Sequence, residues 1–287
     1  MCVVTGATRG IGRATALELA RLGAQVVMVG RDERRLDDVR LEAKRVTGNE
    51  HVYWVHADFA SLASVRLAAE EIAHRWNAIY ALVNNAGVNS ARRTTSADGF
   101  ELTIAVNHLA PFLLTALLVP ALTRGAPSRV VNVGSVFAHF GHVSIDDLMF
   151  ERRYYTSTRA YNQSKLATVM FTFELAARLD RSGITVNCVS PGLVATDLLR
   201  EHAWSAGWLR PLWQRVLRTP EQAASRIVRV ATSPALEGAT GQCFASSTQP
   251  TFAPTRARNE DVSRRLWELS TRLTNAPDIA AAGGGRR

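Results

Sequence analysis

Tyr161 and Lys165 lie four residues apart in an apolar run without glycine or proline, residues 160–179. That run reads as a helix of about five turns. Residues at i and i+4 share a helix face, with Cβ atoms about 5–6 Å apart, so a phenol and an ammonium point the same way. An unperturbed phenol titrates near ~10, and an ammonium held beside it favours the phenolate, moving the tyrosine toward proton transfer near neutrality. Taken alone, the pair reads more readily as two exposed side chains on a helix. Chemistry requires a second reactant held beside it.

The opposite end of the chain encodes such a place. Met1-Cys2-Val3-Val4 runs into Thr5-Gly6-Ala7-Thr8-Arg9-Gly10-Ile11-Gly12, and an Ala/Leu-rich helix follows to about residue 22. Glycines at 6, 10 and 12 allow a tight turn and close approach to a pyrophosphate, whose charge the helix N-terminus favours. A second strand, 25–29, ends in Gly30-Arg31-Asp32, where a dinucleotide fold meets the adenosine ribose. Two guanidiniums, Arg31 and Arg9, suit a 2′-phosphate, so the expected cofactor is NADP(H). The competing reading makes Asp32 the ribose ligand, although Asp32 also fits the N-cap of a helix over 33–46.

The elements that would position these groups alternate along the chain. A third strand, 51–56, is followed by Asp58, which would lie near the adenine or cap the helix 62–76. A fourth, 80–83, runs into Asn84-Asn85-Ala86-Gly87, small and amide residues that let backbone pass close to a cofactor. In the helix 100–123, Pro111 lacks an N–H, so the carbonyl of Asn107 loses its helical partner and can hold a water. A fifth strand, 129–134, delivers Ser135 at its carboxyl end, and an irregular stretch, 136–159, precedes the helix of Tyr161 and Lys165. A sixth strand over 185–189, helix 222–231, last strand 241–245 and amphipathic helix 259–273 complete the chain. This alternation predicts a single α/β domain over 1–274, a doubly wound parallel sheet ordered 3-2-1-4-5-6-7, with a disordered tail at 275–287.

Bulk composition removes other classes. The chain has 287 residues, 47% hydrophobic and 21% charged, ordinary for a globular protein that buries its own core. Three cysteines without ligand spacing indicate neither a disulfide framework nor a metal site, and a cytoplasmic setting is expected. The longest apolar candidate for a membrane span, 109–122, contains Pro111 and Pro120. A net charge of +9 is spread without aromatic-interleaved basic motifs, so no nucleic-acid partner is expected.

Taken together, T-G-A-T-R-G-I-G, N-N-A-G, N-V-G-S, Y-N-Q-S-K and P-G-L-V-A-T resemble the short-chain dehydrogenase/reductase family over nearly the whole chain. Ala126-Pro127-Ser128-Arg129-Val130-Val131-Asn132-Val133, Ser164-Lys165-Leu166-Ala167, Ala257-Arg258-Asn259-Glu260 and Arg264-Arg265-Leu266-Trp267 are most similar to its retinol dehydrogenase-like branch. The resemblance implies Asn107, Ser135, Tyr161 and Lys165 as the catalytic four. Tyr161 would transfer the proton, Ser135 would bond the carbonyl oxygen, Lys165 would bind the nicotinamide ribose, and Asn107 would hold a relay water. Pro191, Gly192 and Thr196 would meet the carboxamide. Arg9 replaces the small polar residue usual in that branch, and no membrane anchor is expected ahead of the first strand. Residues 198–217 hold Trp204, Trp208 and Trp213; they would close over a lipophilic carbonyl or alcohol substrate, pack on the sheet, or rest weakly on an anionic membrane. Homodimer and homotetramer both stay open. A ketoreductase acting on a ring or polyketide ketone, and a non-catalytic NADP(H)-sensing regulator, are the competing functions; a sensor would need none of Ser135, Tyr161 and Lys165.

Overall fold

The structure is a computed structural model, and it describes residues 1–192, 194, 218–245, 248–251 and 253–279. Seven strands form one parallel sheet in the order β3-β2-β1-β4-β5-β6-β7: β1 Cys2–Thr5, β2 Val26–Gly30, β3 Val52–His56, β4 Ala81–Asn84, β5 Ser128–Val133, β6 Ile184–Val189 and β7 Gln242–Phe244. The predicted order is the observed one. The crossover helices are α1 Gly10–Arg21, α2 Glu33–Thr47, α3 Leu62–Arg75, α4 Leu102–Arg124, α5 Ser157–Arg178 and α6 Pro220–Thr232, with α7 Glu260–Thr274 after β7.

Near-continuous apolar strands suit a sheet covered on both faces, and side-chain alternation divides them between two cores. Val3, Val27, Leu82, Val130 and Val186 pack with side chains of α3, α4 and α5 on one face. Val4, Met28, Val83, Val131 and Val189 pack with those of α1, α2 and α6 on the other. The chain reverses its winding between β1 and β4, so the crevice at their carboxyl ends is where an α/β sheet accepts ligands. Every predicted site residue that the structure describes lies in the loops and helices around that crevice.

Three differences from expectation have local causes. Helix α4 continues through both prolines: residues Ala105–Leu109 widen into a π turn directly before Pro111, which sits in the first turn of the renewed α segment. The π turn absorbs the register that the missing N–H would disturb. Helix α6 starts two residues before the predicted 222, because Thr219 and Gln222 form a reciprocal capping box with Pro220 in the first turn. The chain beyond Thr274 does not leave the domain at once. Asn275 ends α7 in the left-handed conformation, Arg66 donates to the carbonyls of Thr274 and Asn275 at 2.6 and 2.9 Å, and Ile279 is buried in the first core. Residues 275–279, whose composition reads as the start of a tail, thus pack on the domain. Residues 280–287, and the tryptophan-bearing segment 198–217 expected to act as a lid, pack on the sheet or meet a membrane, lie outside the described residues.

Candidate active site

The glycine loop is built for close approach. Gly6 and Gly10 take φ of +67° and +56°, a region that favours glycine. A Cβ on Gly12 would lie 2.2 Å from the Gly6 carbonyl oxygen, and one on Gly6 would lie 2.8 Å from Ala86 Cα. Thr5 ties this loop to the next one, accepting from the backbone N–H of Asn85 and of Ala86 at 3.0 Å each. Asn85 Nδ2 returns to the Thr5 carbonyl at 2.8 Å. Arg9 stands at the N-cap of α1 in extended backbone with no side-chain cap, so the first-turn amides face the crevice, where the helix dipole favours an anion.

A cavity of about 840 Å³ runs from this loop to Tyr161. Gly6, Thr8, Arg9, Gly10, Ile11 and Gly12 line it, as do Arg31, Asp58, Asn85, Ala86, Gly87, Ser135, Lys165, Pro191 and Gly192. A Cβ on Gly30 would come within 3.0 Å of the Thr8 methyl, which accounts for the glycine ending β2. At this mouth Arg31 is exposed, while Asp32 is occupied: it accepts from the Arg35 N–H at 3.1 Å and pairs with the Arg35 guanidinium at 3.2 Å. Asp58 does not cap α3; Ser61 does, leaving Asp58 beside the cavity with its Oδ1 accepting from Ala60 N–H.

At the far end, Ser135 follows β5 after Gly134 and hydrogen-bonds Tyr161, whose pKa burial pushes up to about 12, the Ser135 bond opposing part of that rise. Lys165, the expected partner of the phenol, lies over its ring and bonds a backbone carbonyl. Its Nζ donates to the Val133 carbonyl at 2.9 Å and stands 5.7 Å from the Tyr161 ring centroid. Burial lowers the lysine to about 8. Desolvation therefore wins over charge pairing here, and the group that favours the phenolate is Ser135.

Asn107 is placed by the π turn. Its Oδ1 accepts from Val88 N–H at 2.8 Å, and its Nδ2 donates to the Val88 carbonyl and Ser164 Oγ at 2.9 Å each. The side chain thus fastens the 85–88 loop to the helix of Tyr161, while its carbonyl faces the Thr168 hydroxyl at 3.5 Å. Thr196 lies outside the described residues. Sequence reasoning missed Ser164, Arg35 and Asn162. Asn162 is buried beside Tyr161 in the cavity lining, and its Oδ1 has no partner among the described residues. Only its adjacency to Tyr161 could have flagged it. Phe137, in the irregular stretch before α5, meets the Tyr161 ring edge-on at 6.1 Å.

A dinucleotide crevice ending in a half-buried, serine-bonded tyrosine with a lysine one turn away defines the class, and comparison agrees: residues 1–205 match the family described as short chain dehydrogenase. The chain belongs to the short-chain dehydrogenase/reductase family, oxidoreductases of CH–OH groups that use NAD(P)(H). It is 40% identical to human retinol dehydrogenase 13, covering 96% of this chain and 86% of that relative. It is also 40% identical to mouse polyprenol dehydrogenase, covering 99% and 85% respectively. Among solved structures it resembles an uncharacterized protein from Mycobacterium paratuberculosis, with TM-score 0.77 and 31% identity over 96% of this chain and 93% of that one. An NADP active-site complex of Pseudomonas aeruginosa RhlG matches with TM-score 0.70 and 27% identity over 85% and 93%.

Proposed function

We propose that the protein is an NADP(H)-dependent oxidoreductase that interconverts a lipophilic aldehyde or ketone and its alcohol. The observation that carries this reading is the Ser135–Tyr161 pair at the inner end of the dinucleotide cavity. A tyrosine at about 12 keeps its proton at neutral pH and can deliver it to an oxygen on which negative charge develops, which suits carbonyl reduction. Ser135 orients that oxygen and shares the charge. Lys165, held by the Val133 carbonyl, presents its ammonium to the sugar next to the reacting ring. Asn107 fixes the 85–88 backbone against the same helix. The nicotinamide, when bound, supplies or accepts the hydride.

The glycine cradle that any Cβ would fill fits a dinucleotide, and the Arg31 side supports the 2′-phosphate. Asp32 is engaged by Arg35, which leaves the strand end basic. A charged contact to phosphate is worth on the order of 1.5–3 kcal/mol. Arg31→Ala is thus expected to raise the Michaelis constant for NADPH roughly 10-fold or more, with little change for NADH. Equal losses for both cofactors would show that Arg31 does not read the phosphate.

Lipophilic substrates are supported by Val88, Leu102, Val106 and Phe137 in the cavity wall and by relatives named for retinol and polyprenol. Each buried CH₂ contributes about 0.8 kcal/mol, close to four-fold in specificity constant. NADPH oxidation measured across aldehydes and ketones of graded chain length should show kcat/KM climbing with length and then levelling. A flat series, or a preference for compact polar ketones, would favour the ketoreductase reading instead.

A further inference from the structure

Two thiols behind the proposed catalytic lysine take no part in this chemistry. Cys188 in β6 and Cys243 in β7 stand in direct register across the last parallel pair of the sheet. Neighbouring strands run about 4.7–4.9 Å apart, inside the Cα separation of about 4.4–6.8 Å that a disulfide spans. A hydrogen bond already joins the two thiols, raising Cys188 as a proton holder and lowering Cys243, with the Arg258 charge also favouring the Cys243 thiolate. Cys188 is buried and Cys243 half-buried.

The inner sulfur is seated against the site wall. A Cβ on Gly134 would lie 2.5 Å from Cys188 Sγ, and the Cys188 and Lys165 charges act on each other. Gly134 joins Val133, whose carbonyl holds Lys165, to Ser135. A bond that draws the Cys188 sulfur toward β7 therefore shifts the short segment on which both Lys165 and Ser135 depend.

We propose that Cys188 and Cys243 are a peroxide-oxidised thiol pair, closing to a disulfide that lowers turnover at the adjoining site. In the first step the Cys243 thiolate attacks one oxygen of hydrogen peroxide; an S–O bond forms, the O–O bond breaks, and hydroxide leaves and takes up the proton that Cys243 released. In the second the Cys188 sulfur attacks the sulfenic sulfur; the S–S bond forms, the S–O bond breaks, and hydroxide leaves with the Cys188 proton as water. Two thiols are oxidised and one peroxide is reduced to two waters. A dithiol reductant reverses the change.

The covalent part stands on the thiol geometry alone, whereas the effect on turnover rests on the function proposed above. Denaturing thiol titration and peptide mass mapping before and after peroxide decide the first part. The three cysteines should all be alkylated before treatment and Cys2 alone after it, with a linked Cys188–Cys243 peptide. Turnover of the best substrate in the carbonyl series should fall on the order of 10-fold, since small displacements of positioned groups are costly, and dithiothreitol should restore it. Cys243→Ser should keep its basal rate and resist peroxide. Absence of the linked peptide overturns the proposal whatever the activity. Formation of the peptide without loss of rate, or equal inactivation of Cys243→Ser, overturns the control of turnover and leaves the proposed oxidoreductase reading intact.

Discussion

Tyr161→Phe should lower turnover by roughly 10²–10⁴-fold, the range for loss of a general acid. The ring survives the change, so its edge contact with Phe137 and its packing at the cavity end remain. What disappears is the transferable proton and the partner of Ser135. Stability should change little, because the lost bond is offset by no longer desolvating a hydroxyl, and Ser135 Oγ still accepts from the Phe137 N–H. NADPH affinity, measured by nucleotide fluorescence, should be nearly unchanged, since the glycine cradle and Lys165 are untouched. A variant with near-normal turnover would remove Tyr161 from the proton path, and one that lost NADPH binding in parallel would make the residue a part of the cofactor seat.

The sheet and its crevice were legible because their signals are local. Apolar strands of three to six residues, punctuated by Gly6, Gly30 and Asn85-Ala86-Gly87, fix strand order once the parallel winding is recognised. The cap of α2 by Asp32 was legible for the same reason. Less visible were outcomes decided by partners distant in sequence. Pro111 announced a disturbed helix, but whether it kinks or widens depends on how the neighbouring α5 and the 85–88 loop receive Asn107, through Ser164 and Val88. Lys165 was expected to serve the phenol. Its actual orientation follows from the Val133 carbonyl, 32 residues away in sequence, which no i, i+4 rule includes. Ile279 sits in a stretch whose composition reads as a tail, and Arg66, far upstream, anchors the turn that brings it back. Cys188 and Cys243 became a pair only through the β6–β7 register.

Lys165→Met offers the sharpest separation of function from stability. Removing one positioned cation at the reacting centre should cost on the order of 10²–10³-fold in turnover. The stability effect has its own pH signature. Burial lowers Lys165 from 10.5 to about 8, so the unfolded chain holds this proton over a pH range in which the folded protein has released it. Where the unfolded state binds more protons, stability rises with pH. The folded protein therefore bears the full desolvation penalty below about 8 and sheds it as pH climbs toward 10.5. At about 1.4 kcal/mol per pKa unit, the wild type should gain roughly 3 kcal/mol relative to Lys165→Met across that interval. The Val133 carbonyl left without its donor costs the variant a constant amount, which shifts the difference but not its slope. Tyr161, raised from 10.0 to about 12, makes both proteins lose stability above pH 10, and this cancels in the comparison. Urea unfolding of the two proteins at closely spaced pH values between 7 and 10.5 reads the slope. Parallel stability curves would mean that Lys165 keeps an ordinary affinity for its proton, and the ammonium would then owe its position to solvent and not to the Val133 carbonyl in a dry pocket.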